Sequence, residues 1–181
     1  MISNYKKTIR HFEKNKSHAR KLKDVAPWFS NKKAIAEALR KSKNKVIYET
    51  FTDKFSPINL TLTVVYPGVI GKEYFFTKGH IHRKKVPEFY ILMEGKGKLL
   101  MQKQSNVKVI DLKKGEIVLI PIGYAHRLIN TGNKKLKVLT IYDQESKPDY
   151  NIKFKKRFFR RWNDLNKESK TRRFKRNLWD S

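Results

Sequence analysis

The sequence predicts an all-β domain that closes into an antiparallel barrel or sandwich. Residues 46–145 contain a series of short segments rich in β-branched and aromatic side chains. Turn residues separate these segments, as at Pro67-Gly68 and Thr131-Gly132-Asn133. No long stretch of helical periodicity lies between them. Many close turns between short strands are typical of antiparallel sheets wrapped around one core.

The individual elements follow from the local patterns. Strands are predicted over residues 46–52, 60–66, 73–78, 88–93, 98–102, 107–111, 116–120, 126–130 and 136–142. Before them, residues 31–41 carry an apolar stripe at helical spacing, formed by Ala34, Ile35, Ala38 and Leu39. This stripe predicts a single helix packed on the barrel, with Ser30 as its N-cap. After the strands, residues 158–165 predict a basic amphipathic helix, because aromatic and leucine side chains recur there at spacings of three and four.

Positive charge is concentrated at both ends of the chain, whose formal net charge is +27. Residues 1–45 carry 14 basic and 3 acidic side chains, and residues 146–181 carry 13 and 4. We therefore predict a basic N-terminal arm at 1–45, a barrel at 46–145 and a basic aromatic C-terminal segment at 146–181. Such termini suit nucleic acid, so one hypothesis is a non-catalytic protein that binds it through residues 1–23 and 153–178. A solvated basic surface with no partner is the simpler explanation, and we prefer it.

The composition excludes several classes of protein. The 181 residues contain no cysteine, so disulfides and thiolate metal sites are excluded. No apolar run approaches the roughly 18 residues of a membrane span, and no secretory signal pattern opens the chain. We expect a cytoplasmic protein without a membrane partner.

Three histidines and one glutamate are placed where a small barrel brings them together. His80 and His82 share one face of a strand, because side chains alternate along it. Glu88 opens the next strand, and His126 begins a later strand just after the turn at Pro121 and Gly123. Each piece alone has an ordinary structural explanation, as a surface histidine or a strand-edge carboxylate. Their conjunction favours a shared metal site, since imidazole and carboxylate suit first-row divalent ions.

The same residues resemble the two motifs of the cupin superfamily. The segment His80-x-His82-x5-Glu88-x6-Gly95 is similar to the first motif, with a slightly longer gap before the glutamate. The segment Gly115-x5-Pro121-x-Gly123-x2-His126-x3-Asn130 matches the second motif. The resemblance implies a jelly-roll (double-stranded β-helix) barrel. It also implies one divalent ion, Fe, Mn, Ni or Zn, on His80, His82, Glu88 and His126, with coordination positions left open for a ligand.

A longer stretch, from about Ser17 to Tyr150, resembles the cupin-type glucose-6-phosphate isomerases of archaea. The likeness rests on the segments TLTVVYPG at 61–68, FFTKGHIH at 75–82 and EFY at 88–90. It implies metal-dependent interconversion of glucose 6-phosphate and fructose 6-phosphate, in glycolysis and gluconeogenesis, by a homodimer. It also implies a sugar-phosphate pocket lined by Tyr48, Thr63, Thr77, Gly79, Tyr90, Tyr142 and Tyr150.

The resemblance leaves the catalytic roles open. Glu88 is our candidate base, and Tyr142 is a weaker candidate for proton relay. A hydride shift between the two carbons needs no base, and an isomerase or epimerase of another sugar phosphate is a further alternative. Several of the tyrosines could equally fill the barrel interior. The chain also departs from the family at Pro148, where the resemblance leads us to expect a histidine that handles protons at the sugar.

Overall fold

Strands dominate the residues that the computed structural model describes, 5–42 and 44–160. The strands are β1 (His18–Lys21), β2 (Val46–Phe55), β3 (Ile58–Val65), β4 (Val69–Ile70), β5 (Glu73–Tyr74), β6 (Ile81–His82), β7 (Glu88–Glu94), β8 (Gly97–Lys103), β9 (Asn106–Asp111), β10 (Ile117–Ile120), β11 (Ala125–Asn130), β12 (Leu136–Asp143) and β13 (Pro148–Asp149). The helices are α1 (Tyr5–Phe12), α2 (Leu22–Val25) and α3 (Lys32–Ser42), with a 3-10 turn at Ala26–Trp28. The predicted all-β class is therefore confirmed.

Two antiparallel sheets form the barrel. The larger has the strand order β1-β2-β3-β12-β7-β10, and the smaller has the order β11-β8-β9. From β7 onward the chain passes to the small sheet (β8 and β9), back to the large sheet (β10) and to the small sheet again (β11). It then returns to the large sheet as β12, which lies between β3 and β7. This passage between two facing sheets is the jelly-roll arrangement. It brings the predicted ligands to one side of the interior, with His80 directly before β6, His82 on β6, Glu88 on β7 and His126 on β11.

The core is covered on both faces of the small sheet. Leu99 and Leu100 are neighbours on β8, so they point to opposite faces, yet both are fully buried. Leu128 and Ile129 on β11 show the same double burial. Burial of a leucine side chain contributes about 2 kcal/mol. This small sheet therefore gives His126, which lies on β11, a rigid support.

The N-terminal region differs from the single-helix prediction. Three helices precede the barrel, and β1 pairs with β2 at the edge of the large sheet. The predicted N-cap is also wrong. Asn31 Oδ1 accepts the Ala34 amide at 2.9 Å, whereas the Ser30 hydroxyl donates to Glu73 at 2.7 Å. Because the Ser30 hydroxyl is bonded to Glu73, the neighbouring residue Asn31 caps α3 instead.

The C-terminal region also departs from its prediction. Residues 158–160 are not helical, and Phe159 forms a bridge with Glu73 of β5. The rest of the predicted helix lies outside the described residues. The strand predicted over 73–78 is shorter than expected, because regular pairing is limited to β5. Pro148 and Asp149 form β13 against β6, so the C-terminal segment contributes to the barrel.

The outer face of the large sheet is only partly covered. Helix α1 lays Ile9 and Phe12 on it, against a cluster that includes Leu62. The other half carries an apolar stripe that we name the outer stripe: Phe89, Ile91, Ile117, Leu119 and Ile141. Cross-strand pairing brings its members together, with Leu119 and Ile141 on either side of Phe89.

The helices are short. None of those in the described parts of the chain is long and apolar enough to cross a membrane.

Candidate metal centre and its pocket

The four predicted ligand residues converge inside the barrel. His80 forms a backbone bridge with His126, with the two amides donating to the opposite carbonyls at 3.1 and 2.9 Å. His82 ends β6, and Glu88 opens β7. One ligand atom from each of the four side chains lies within 4.8 Å of the others. These side chains could therefore share one metal ion.

The contacts within this cluster show groups aimed at a common centre. The Nε2 atoms of His80 and His82 lie 3.0 Å apart. Glu88 Oε2 lies 2.8 Å from His126 Nε2 and 3.2 Å from His82 Nε2. Apart from these contacts within the cluster, the buried atoms Glu88 Oε2 and His126 Nε2 have no hydrogen-bond partner among the described residues. Buried polar atoms are rarely left this way, and three nitrogens with one carboxylate oxygen fit a divalent first-row ion.

The protonation states in the cluster also suit a metal. Burial lowers the pKa of His80 to about 3, with a smaller contribution from the neighbouring His126. Burial raises the pKa of Glu88, but the adjacent His126 and His82 outweigh it and lower this pKa to about 2. His126 Nδ1 lies 3.2 Å from the Tyr124 carbonyl oxygen. Because that nitrogen can only donate there, Nε2 keeps its lone pair for the centre.

The cluster opens into a cavity of about 430 Å³. Every residue that the sequence analysis assigned to substrate contributes to its lining: Tyr48, Thr63, Thr77, Gly79, Tyr90, Tyr142 and Tyr150. The structure thus places these residues and the four candidate ligands around one space. Lys78 and Arg127, whose neighbours in sequence line the cavity, do not line it themselves, because Lys78 lies over the Trp28 ring and Arg127 over Phe76.

The sequence analysis missed a set of polar residues in the same cavity. They are Thr50, Thr52, Asn59, Thr61, Thr140, Gln144, Ser146 and Lys147. The first five lie on β2, β3 and β12, two or four residues away from Tyr48, Thr63 or Tyr142. Because side chains alternate along a strand, these five could have been predicted to face the same side as those three residues. The Thr61 hydroxyl lies 2.8 Å from that of Thr52 and 3.1 Å from that of Tyr142. These bonds orient the Tyr142 hydroxyl.

Two hydrogen-bond donors suited to an anion belong to residues that line this cavity. The Thr77 hydroxyl accepts the Leu128 amide at 3.1 Å, which leaves its own proton available. The Gly79 amide finds no acceptor among the described residues. A side chain at Gly79 is excluded, because its Cβ would lie 2.6 Å from the Phe154 ring and 2.7 Å from the His126 carbonyl oxygen, and φ is +73°.

Pro148 lines the same cavity, opposite His82 in the short β6–β13 pair. The departure at this position is therefore inside the pocket and beside a candidate ligand. A proline ring carries no exchangeable proton, so any proton handling at this wall falls to other residues.

The jelly-roll sheets and the cluster of three histidines and one glutamate define the protein as a cupin with a candidate metal centre. The chain belongs to the glucose-6-phosphate isomerase family, whose model, described as glucose-6-phosphate isomerase (GPI), matches residues 19–178. The glucose-6-phosphate isomerase of Thermococcus onnurineus is 38% identical over 141 residues, covering 75% of this chain and 74% of that protein. The enzyme of Pyrococcus furiosus is 36% identical over the same shares.

Solved structures similar to this chain include oxalate decarboxylase from Bacillus subtilis. The TM-score is 0.46 at 16% identity, covering 56% of this chain and 26% of that one.

Proposed function

We propose that this protein is a metal-dependent isomerase that interconverts glucose 6-phosphate and fructose 6-phosphate. The observation that carries the proposal is the buried cluster of three histidines and one glutamate on the wall of a polar cavity, in a chain of the glucose-6-phosphate isomerase family. The cavity volume of about 430 Å³ is in the range of small-molecule sites.

In this proposal His80, His82, Glu88 and His126 hold one divalent ion. When bound, the ion supplies Lewis-acid polarisation of the carbonyl oxygen of the open-chain sugar. Iron, manganese, nickel and zinc all accept this set of ligands, and availability decides among them.

The remaining lining binds and orients the sugar phosphate. The Thr77 hydroxyl and the Gly79 amide donate to phosphate oxygens, because both residues line the cavity and neither proton has an acceptor among the described residues. Tyr48 and Tyr90 offer flat apolar faces to the carbon chain and hydroxyls to its oxygens. Tyr150 lies beside His80, with ring centroids 5.6 Å apart, at the exposed side of the pocket.

Isomerisation moves a hydrogen between C1 and C2 and a proton between their oxygens. Glu88 is ionised at neutral pH because its pKa is lowered to about 2, so it can accept a proton from carbon. Tyr142 lies directly across the strand pair from Glu88 and can exchange its hydroxyl proton with a sugar oxygen. A hydride shift would leave Glu88 with a binding role only, whereas Tyr142 would still be the candidate for the proton transfer between the two sugar oxygens.

The function is tested on purified protein stripped by a chelator and resupplied separately with iron, manganese, nickel and zinc. We expect fructose 6-phosphate to be converted to glucose 6-phosphate only after an ion is returned. Turnover at this stage also means that Pro148 is compatible with catalysis. No turnover with any ion, despite one metal bound per chain, contradicts the proposal and favours an isomerase or epimerase of another sugar phosphate.

We also propose that the outer stripe joins two copies of the chain into a homodimer. Three of its large apolar side chains are exposed: Ile117 is 66% exposed, Leu119 49% and Phe89 38%. A contiguous apolar patch of this kind is typical of a protein interface. A second copy can supply an equally apolar face about a two-fold axis.

The dimer is tested with Ile117→Asp, which introduces a charge where the side chain is mostly exposed and the folding cost is small. We expect the wild-type chain to have the mass of a dimer by light scattering, and the variant that of a monomer. Asn106→Asp, at the exposed start of β9 in the other sheet, adds the same charge and serves as the control. A monomeric wild-type chain contradicts this interface.

Two expectations stay predictions from the sequence. Cytoplasmic location is one, and nucleic-acid binding through residues 1–23 and 153–178, which we do not prefer, is the other. Binding of that kind would weaken steeply with salt.

A further inference from the structure

The segment 153–160, which we name the strap, lies across the barrel and is pinned at both ends. At its start, the Lys155 amide donates to Gln102 Oε1 at 2.8 Å, and Gln102 donates back to the Lys153 carbonyl at 3.2 Å. At its end, the Arg160 amide donates to the Lys72 carbonyl at 2.8 Å. The Tyr74 amide donates to the strap carbonyl of residue 158 at 3.0 Å. The strap thus bridges β8 and the β4–β5 hairpin.

An ion pair between the partly exposed Arg157 and the buried Glu73 fixes the middle of the strap. The Glu73 carboxylate is 3% exposed and accepts the Arg157 guanidinium at 2.9 Å. Ser30 donates to the same carboxylate through its amide and its hydroxyl, at 2.9 and 2.7 Å. A buried carboxylate without partners is strongly destabilising. Glu73 therefore favours the docked position of Arg157 and of the strap.

One aromatic ring of the strap, that of Phe154, packs beside the residues that flank His80 and His126. Phe154 is buried, and its ring centroid lies 4.4 Å from the Arg127 guanidinium, which also lies 4.3 Å from Phe76. Arg127 donates through Nη2 and Nε to the Lys78 carbonyl, at 2.6 and 3.2 Å. The Phe154 ring also fills the space beside Gly79, where a Cβ would lie 2.6 Å from it.

These contacts surround the backbone that carries two candidate ligands. Arg127 follows His126 directly, and the Lys78–Gly79 backbone leads directly into His80. We propose that Phe154 is a positioning residue for the metal centre: it fixes Arg127 and the Gly79 turn, and thereby the separation of His80 and His126. The inference rests on the metal site of the proposed function. It adds that docking of the strap and metal binding are energetically coupled.

The test compares Phe154→Ala with Phe12→Ala, a control that removes an equally buried ring under α1, away from the site. Both changes create a core cavity and lower the unfolding temperature, so a purely structural effect is common to them. Zinc is titrated into the stripped proteins at a temperature where both are folded, and binding is followed by calorimetry. We expect about 10-fold weaker zinc binding for Phe154→Ala, as for groups that support metal ligands. Affinity is unchanged for Phe12→Ala, and Phe154→Leu recovers most of the loss.

A second measurement uses the unmodified chain. Coupling between two sites is reciprocal, so zinc is expected to slow hydrogen exchange of the strap amides more than of those in α1. Equal zinc affinity of Phe154→Ala and Phe12→Ala, or strap exchange indifferent to zinc, overturns the positioning role while the metal site stands. A wild-type chain that binds none of the four ions overturns the metal site itself.

Discussion

His126→Ala is expected to abolish stable metal binding and isomerase activity together. His126 is 1% exposed, its Nε2 lies 2.8 Å from Glu88 Oε2, and this nitrogen has no hydrogen-bond partner outside the cluster in the described structure. Its removal leaves three ligands and a solvent-sized gap. The loss of affinity should exceed the roughly 100-fold upper range found when only a supporting group is removed. Zinc titration followed by calorimetry, together with metal analysis of the purified protein, measures it.

A control substitution at a histidine outside the cluster distinguishes loss of a metal ligand from a general effect of removing a histidine. His18 is exposed at the start of β1 and lies outside the cluster, so His18→Ala should bind metal and turn over substrate like the wild type. If His126→Ala retained wild-type metal affinity, the cluster would not be the metal site.

The candidate ligands were predictable because their signal is local in sequence. His80 and His82 share a strand face at a spacing of two, and His126 follows a turn whose proline and glycine fix the start of β11. Strand alternation also explains why Arg127 could be placed outside the cavity. The all-β class could also be predicted from the sequence, because many short strand segments and turn residues indicate it together.

The missed cavity residues depend on register, which is not local. Thr61 faces Thr140 across the β3–β12 pair, and those residues are far apart in sequence. Nothing in either segment alone says that the two strands pair, or which face of each is turned inward. Once Tyr142 and Thr63 are known to face the cavity, the two-residue alternation along β12 and β3 predicts that Thr140 and Thr61 face it as well.

The two misplaced helix features have a tertiary cause. Ser30 and Asn31 are both good N-caps, and local preference does not distinguish them. Glu73 does, because it takes the Ser30 hydroxyl and leaves Asn31 for the helix. Phe159 has helical spacing to its neighbours, yet pairing with β5 holds it in an extended bridge. Local propensity is a weak prior wherever a buried charge or a sheet edge competes.

The expected effect of Glu88→Gln decides how hydrogen moves during the reaction. Glutamine keeps the shape of Glu88 and one oxygen for the metal, but it cannot accept a proton from carbon. We therefore expect turnover to fall by about 10²- to 10⁴-fold, the usual contribution of a positioned base, with little change in KM. The measurement is steady-state kinetics at metal concentrations that saturate the variant, with bound metal verified by elemental analysis.

Glu116→Gln is the matched control, because Glu116 is exposed and pairs only with Lys113 among the described residues. It removes one carboxylate from the chain and should leave turnover unchanged. Solvent exchange provides an independent readout: a proton-transfer route carries deuterium from D₂O into the product, and a hydride shift does not. Full turnover of metal-loaded Glu88→Gln without deuterium uptake would exclude the base role. Glu88 would then be a ligand only, and because Pro148 carries no exchangeable proton, Tyr142 would be the remaining candidate for proton transfer between the sugar oxygens.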